Sequence, residues 1–526
     1  SKLQAATIFD GLRVISNHYQ HSSTPVFLGG LFAYDLVANF IPMQGVELKD
    51  DGIHCPDYSF YLAENLITID HQSQQATLKS FCFSQEEQVE VAKTALSIAQ
   101  KLRNIDGVLS IKAASDEVST NFEDPEFTGI VKALKHHINI GDVFQIVPSR
   151  RFSLACPNTL ASYAQLKLNN PSPYMFYMND EEFILFGASP ESALKYAPDN
   201  RQLEIYPIAG SRPRGFDAHG NIDPELDARL ELELRLDHKE QAEHLMLVDL
   251  ARNDIARVCQ SGTRKVAELM QVDRYSHIMH LVSRVVGKLR PELDALHAYQ
   301  ACMNMGTLTG APKIKAMQLI YQFEQQKRHS YGGAVGYLTS DGHFDTCIVI
   351  RSAFVQNGIA HIQAGCGEVL DSDPQMEADE TRHKAAAVLK AIKQINPNII
   401  LYTQKGDSEV IFRFKYSDSD QVIPLLKPRT SGAGISPFSS KNLPKSNYTI
   451  PESDLAQYKS VISDVPKDKL LSICHTSNNF IKTLVTKQNP MENIKADMKL
   501  KGLKGKEYVH SIGQWDNYIN YLRKEL

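Results

Sequence analysis

Between residues 125 and 400, strand-like runs and helical stretches alternate along the chain with no internal repeat. That mixing points to an α+β or α/β domain. FTGIVKALKHHINIG predicts a helix stopped by Gly141. FQIVPSRRFSL, EEFILFGAS, CIVIRSAFVQNG and IAHIQAGCG predict strands, and EQAEHLMLVDLARNDIARV predicts a helix whose apolar middle is buried. Upstream, VFLGGLFAYDL reads as a buried strand and turn, and residues 86–105 as an amphipathic helix.

Composition sets the frame. The chain has 526 residues, 43% hydrophobic and 22% charged, which fits a soluble globular protein and excludes disordered or collagen-like classes. The length alone suggests about three domains. The net charge of −5 hides a split: from Pro397 onward 19 Lys and Arg face 13 Asp and Glu, giving +6 there and −11 for residues 1–396. The expected division is therefore a core, 1–396, and a basic module, 397–526, with a Ser/Gly/Pro-rich linker near 430–454. In the module EVIFRFKYSD reads as a strand, and SDLAQYKSVISDV, FIKTLVTKQN and QWDNYINYLRKEL read as helices. Lys499, Lys501, Lys504 and Lys506 lie near Tyr508 and Trp515, a pattern that suits nucleic acid, although a solvated lysine face is the commoner cause of it. The eight cysteines form no CxxC pair, no apolar run is long enough to span a membrane, and no signal-peptide pattern opens the chain, so a cytoplasmic protein is expected.

The chemistry concentrates in a few segments. In DSDPQMEADETRHKAAAVLKAI, Asp373 suits a helix cap and Pro374 the first turn. Glu377, Glu380 and Lys384 then share one helical face, either as solvated ion pairs or as part of a site. DHKEQAEHLMLVDLARND repeats the motif with Glu240 and Glu243 running into an apolar segment. Carboxylates from two helices suit a hard divalent cation such as Mg²⁺, and no Cys/His pattern offers a softer site. Three turns, PIAGSRPRG, GTLTGAPK and QAGCGEV, present glycines, backbone N–H groups and basic residues to an anion. Together these describe a site for a polyanionic small molecule bridged by a cation.

PIAGSRPRG, EHLMLVDLARND, MGTLTGAPK and DSDPQMEADETRHKA, in that order, resemble the chorismate-utilising enzyme family over residues 1–396. The resemblance implies an α+β fold of two large antiparallel sheets packed face to face with helices outside, followed by a small C-terminal α+β or irregular appendage. It implies Glu243 and Glu380 as Mg²⁺ ligands, with Glu240 and Glu377 acting beside them through water, the ion holding the ring carboxylate of chorismate. Tyr331, Arg351, Gly365, Gly367 and Lys384 match positions that grip substrate carboxylates, and Thr307 another active-site position. Glu191, in FGASPES, matches a general acid for the departing ring hydroxyl; His280, in HIMHLVS, matches the histidine of the later elimination.

Two positions separate the branches of the family. Members that add water to chorismate carry a lysine base where Gln145 stands, and aminodeoxychorismate-forming members carry a nucleophilic lysine where Ala209 stands. A neutral amide cannot deprotonate water, whereas ammonia needs no base. The resemblance is thus to anthranilate-forming members, which take ammonia from a separate glutamine amidotransferase subunit; no GxCxG-type elbow occurs here. Isochorismate or aminodeoxychorismate formation, or an impaired core joined to a basic binding module, are the alternatives. The family's N-terminal LLES segment does not appear, while Pro171, Tyr174, Met175 and Cys347 match the other half of its tryptophan site, so weak or absent tryptophan inhibition is expected. The residues after about 397 do not continue the family pattern.

Overall fold

A computed structural model describes residues 5–394 apart from 21, 23, 44–47, 71–74, 85–86, 102–107, 110–116, 218–219 and 276–277. Beyond 394 it describes five strands: Ile399–Lys405, Val410–Tyr416, Val422–Pro424, Ser472–His475 and Phe480–Leu484. The chain divides into two compact units: residues 1–63, 114–159 and 172–393 in the first, and 64–113, 160–171 and 394–526 in the second.

The first unit holds two large antiparallel sheets and a two-stranded one, Gln145–Ile146 with Gly310–Ala311. The larger runs in the order Ile208–Pro213, Ile278–Lys288, Gln202–Ile205, Ser192–Ala197, Phe344–Ile348, Ala334–Thr339, Phe27–Phe32 and Tyr58–Leu62, with Lys265–Arg274 also paired to Ile278–Lys288. The smaller runs Ser119–Thr120, Ser149–Ala155, Ile359–Gly365, Ser352–Gln356, Ile184–Ser189 and Tyr174–Asn179. Side chains alternate across each strand. Leu31, Val335 and Cys347 of the larger sheet therefore meet Leu185 and Phe354 of the smaller in one apolar layer. On the opposite face of the larger sheet, Leu28, Phe32, Leu338 and Phe344 pack under helices. Leu12 of Asp10–His18, Ile255 of His238–Ala256, Tyr299 of Ala295–Cys302 and Met317 of Lys313–Glu324 cover them. Phe32 stacks on Tyr299 at 4.3 Å between ring centroids. Each such buried apolar side chain contributes roughly 1.5–3 kcal/mol. The two facing sheets with helices outside are the α+β architecture expected from the resemblance.

The two acidic helices start as their sequences dictate. Asp237 caps His238–Ala256 by accepting from the Lys239 and Glu240 amides, at 3.0 and 3.2 Å. Asp373 accepts from the Gln375 and Met376 amides, at 2.9 and 3.0 Å, before Pro374–Lys393. Asp124–Asn139 carries a Glu123/Glu126 capping box and ends before Gly141, whose φ of +82° is a left-handed stop. Its Phe127 and Val131 pack on Ala378 of Pro374–Lys393.

Three local readings change. CIVIRSAFVQNG is two strands in different sheets, Phe344–Ile348 in the larger and Ser352–Gln356 in the smaller. The crossing is made at Arg351, in the left-handed region with φ +50°. An apolar run reads the same whether or not it changes sheets, and an arginine carries no signal for that conformation. FQIVPSRRFSL likewise divides at Pro148 into Gln145–Ile146 and Ser149–Ala155, because proline lacks the ladder N–H. Within FIKTLVTKQN, Phe480–Leu484 is a strand paired antiparallel with Ser472–His475, not a helix. Ile481 and Thr483 are β-branched, and a two-strand pairing overrides the weak helical spacing.

The second unit contains the hairpin Asn65–Asp70 with Gln75–Ser80 and the helix Gln88–Lys101. It also has an antiparallel sheet in the order Val422–Pro424, Val410–Tyr416, Ile399–Lys405, Val108–Leu109. The segments SDLAQYKSVISDV and QWDNYINYLRKEL, the linker near 430–454 and the lysines around Tyr508 lie outside the described residues. Among the described residues, no helix is long and apolar enough to cross a membrane.

Candidate active site

Four strands and three helices of the first unit surround a cavity of about 410 Å³. Gln145, Glu191, Glu240, Glu243, His280, Thr307, Tyr331, Arg351, Gly365, Gly367, Glu377, Glu380 and Lys384 all line it, so thirteen positions spread from 145 to 384 in sequence converge in space.

One side carries two groups suited to moving protons. Glu191 follows the strand Ile184–Ser189 and is buried. Burial lifts its carboxyl to about 8, against a hydrogen bond from Thr307 and the charges of Lys384 and Arg351. The Thr307 hydroxyl donates to Glu191 Oε1 at 3.0 Å. The acid is therefore protonated near neutrality and held in one place. His280 behaves oppositely: burial pulls it down to about 4 despite its hydrogen bond to the Gly210 carbonyl. Its Nδ1 lies 2.8 Å from Ser211 Oγ and 3.4 Å from the Gly210 oxygen. A carbonyl only accepts, so Nδ1 carries the hydrogen and Nε2 keeps a lone pair. A protonated acid and a neutral imidazole in one cavity have the chemistry that general acid–base catalysis requires.

The other side is acidic. Burial raises Glu243 to about 7, and Glu240, Glu377 and Glu380 add repulsion that Lys239 partly offsets. Glu377 is also pushed up, first by burial and then by Glu380, and its Oε2 has no hydrogen-bond partner. Arg212 holds Glu240 at 3.1 Å and the capping Asp237 at 2.6 Å. Lys384 pairs with Glu380 at 2.5 Å and donates to the Gly365 carbonyl at 3.0 Å. Mutually repelling hard oxygens with one unpartnered buried oxygen are a donor set that fits a divalent cation. Among the described residues, no group of three or more His, Cys, Asp or Glu side chains is placed to hold a metal ion.

Glycines shape the floor. A Cβ at Gly365 would lie 2.8 Å from the Pro148 oxygen and 2.8 Å from the Tyr331 hydroxyl. At Gly367 it would lie 3.0 Å from Gln145 Nε2. The Gln145 side chain is buried and its Oε1 is without a partner. Arg351 makes the crossing between the sheets; burial lowers it from the ordinary arginine value while Tyr331, Glu380 and Glu191 oppose the shift.

The residues matched to a tryptophan site fall elsewhere. Tyr174, Met175 and Cys347 line a separate cavity of about 560 Å³, where the Tyr174 hydroxyl donates to Asp345 Oδ1 at 3.0 Å. Pro171 belongs to the second unit. Sequence reasoning passed over several groups. Ser211 touches His280, and Lys239 and Gln363 line the active cavity. Glu368 is fully buried with both carboxylate oxygens unpartnered; burial and Glu377 lift it to about 9. All four stand inside quoted motifs, Ser211 in PIAGSRPRG, Lys239 in DHKEQAEHLMLVDLARND, and Gln363 and Glu368 in QAGCGEV, and could have been found there.

The family model for chorismate binding enzymes matches residues 2–390, so the chain belongs to the chorismate binding enzyme family. It is 93% identical over 396 residues to anthranilate synthase component 1 of Haemophilus influenzae, covering 75% of this chain and 76% of that one. It is 55% identical over 398 residues to anthranilate synthase component 1 of Escherichia coli, covering 74% and 76%. The crystal structure of anthranilate synthase component I from Streptococcus pneumoniae superposes with a TM-score of 0.66 at 33% identity, over 73% of this chain and 86% of that chain. The menaquinone-specific isochorismate synthase of Escherichia coli, at 22% identity and TM-score 0.60, shares the fold; it covers 74% of this chain and 83% of its own.

Proposed function

We propose that this chain is the chorismate-converting component of an anthranilate synthase, a Mg²⁺-dependent lyase of tryptophan biosynthesis. The observation that carries the reading is the two-sided cavity: protonated Glu191 held by Thr307 and neutral His280 on one side, four carboxylates on the other. Gln145 and Ala209 also line it, where a lysine base or nucleophile would mark the water-adding and aminodeoxychorismate-forming branches.

Tyr331, Arg351 and Lys384, with the backbone around Gly365 and Gly367, bind the carboxylates of chorismate. Ammonia forms a C–N bond to the ring as the ring double bond shifts and the C–O bond of the hydroxyl breaks. Glu191 protonates that hydroxyl so that it leaves as water, and then takes a proton from the new ammonium nitrogen. His280 Nε2 accepts the ring proton at the aminated side in the second step. The enolpyruvyl C–O bond breaks, the ring becomes aromatic, and the released enolate takes a proton at its methylene carbon to become pyruvate. Glu243 and Glu380, with Glu240 and Glu377 behind water, would hold Mg²⁺, which offsets substrate carboxylate charge when bound. Neutral Gln145 leaves the nucleophile's place to ammonia.

Ammonia comes from glutamine through a partner amidotransferase subunit, in the cytoplasm. The cavity of Tyr174, Met175 and Cys347 is the proposed residual tryptophan site. Residues 397–526 carry a net positive charge, and nucleic acid is the partner to test for them. Incubation with chorismate, Mg²⁺ and ammonium should develop anthranilate fluorescence. Chromatography identifying isochorismate or aminodeoxychorismate as the sole product would replace this reading.

A further inference from the structure

Arg328 lies outside the active cavity, yet its guanidinium is 1% exposed in the interior of the first unit. A buried arginine persists only where its charge and donors are matched. Nε donates to Glu324 Oε2 at 2.9 Å and Nη2 to Glu324 Oε1 at 2.5 Å, a two-point pair. The remaining bonds reach backbone: Nη1 donates to the Leu308 carbonyl at 2.7 Å and Nη2 to the Val147 carbonyl at 2.6 Å. The guanidinium carbon also lies 5.6 Å from the centroid of the Tyr331 ring.

These contacts have a common destination. Leu308 follows Thr307, which holds Glu191; Val147 lies two residues after Gln145; Tyr331 lines the cavity itself. Glu324 extends the tie, because its Oε1 accepts from the Ser149 amide at 2.7 Å and from the Ser149 hydroxyl at 2.9 Å. Ser149 Oγ in turn accepts from Gln363 Nε2 at 2.8 Å, and Gln363 lines the cavity.

We propose that the buried Arg328–Glu324 pair is a positioning device for the reaction, fixing three separate backbone segments so that Thr307, Gln145 and Tyr331 stand in register beneath the substrate. It rests on the anthranilate-forming reading above. The guanidinium fork is essential to the role. A lysine keeps the charge but supplies one point donor, so it cannot reach Leu308, Val147 and both Glu324 oxygens together. Its loss acts on alignment rather than on substrate contact, and misplacement by about 1 Å can slow a reaction by on the order of 100-fold.

The test is steady-state kinetics on the full chain with chorismate, Mg²⁺ and ammonium, normalised to folded protein by near-UV circular dichroism. For Arg328→Lys, kcat should fall roughly 10- to 100-fold while KM for chorismate stays within about threefold. Ser149→Ala is a small change that keeps the arginine. It should give a milder kcat loss, about three- to tenfold, with the same unchanged KM. Should Arg328→Lys not fold, the Ser149→Ala kinetics decide alone. Wild-type kcat per folded molecule in the decisive variant would overturn the proposal, as would a loss residing entirely in KM. Anthranilate formation by the unaltered chain, run alongside, separates failure of this proposal from failure of the functional reading.

Discussion

Glu191→Gln separates chemistry from stability. The wild-type carboxyl is 7% exposed and burial lifts it to about 8 from an ordinary 4.5. The fold therefore keeps a proton there between those values, while the unfolded chain has already released it. With more protons bound in the folded state, stability falls as pH rises through that window, and the full penalty stands above about 8. A tenfold change in proton affinity is worth ~1.4 kcal/mol, so the penalty is on the order of a few kcal/mol once relaxation of the site is allowed for. Glutamine has nearly the same shape, can still accept from Thr307, and does not titrate. The variant should match the wild type in stability within ~1 kcal/mol near pH 4.5 and exceed it by roughly 2–4 kcal/mol near pH 8. The same change removes the proton donor and should lower kcat by about 10²–10⁴. Chemical denaturation at several pH values gives the first quantity; anthranilate fluorescence, with free ammonia held constant, gives the second. A stability difference independent of pH, or a variant with wild-type turnover, would refute the assignment of Glu191 as a buried protonated acid.

Other consequences follow from the same cavity. Glu243 sits at about 7, and its protonated form is a poor ligand, so the Mg²⁺ concentration for half-maximal activity should rise as pH falls through that value. In Glu243→Gln that requirement should be raised by at least ~10-fold and lose this pH dependence. His280 sits at about 4, so kcat should show no step near the ordinary histidine value of 6.5 and should decline only as acid protonates the ring near 4. A proton uptake near 6.5 assigned to His280 by NMR would contradict the buried neutral imidazole. Gly365→Ala would drive a methyl against the Pro148 oxygen and the Tyr331 hydroxyl, each 2.8 Å away. It should destabilise the chain by ~1–3 kcal/mol and weaken chorismate binding, visible in thermal melts and in KM.

Much of this site could be read from the sequence because its groups sit in short contiguous motifs. Asp373 before Pro374 announces a helix start, and the spacing of Glu377, Glu380 and Lys384 puts them on one face. Helical spacing also gives the Glu240–Glu243 repeat. What the spacing could not show is that Lys384 and Glu380 neutralise one another across one turn, because a shared face permits pairing and ligand binding alike. The apolar pattern puts Arg351 inside one long strand, whereas its left-handed backbone carries the chain from one sheet to the other. Nothing in a Val-Ile-Arg-Ser run reports a change of sheet. The Arg328–Glu324 pair was invisible for a different reason: its partners at Val147, Leu308 and Ser149 are mostly backbone atoms brought in by tertiary folding. Glu368 likewise looks like an ordinary surface acid in sequence, and only its burial among strand ends makes it notable. In FIKTLVTKQN the helical spacing is weaker than the strand preference of its β-branched residues.

The central claim is that one cavity aminates chorismate and then eliminates pyruvate. The most direct measurement is chromatographic identification of the products formed from chorismate, Mg²⁺ and ammonium by the wild-type chain, with Glu243→Gln and Glu380→Gln as paired controls. Anthranilate and pyruvate in equal amounts from the wild type, and at least ~10-fold less from each control, is the predicted result. Isochorismate from the wild type, or no product from folded protein, would contradict it.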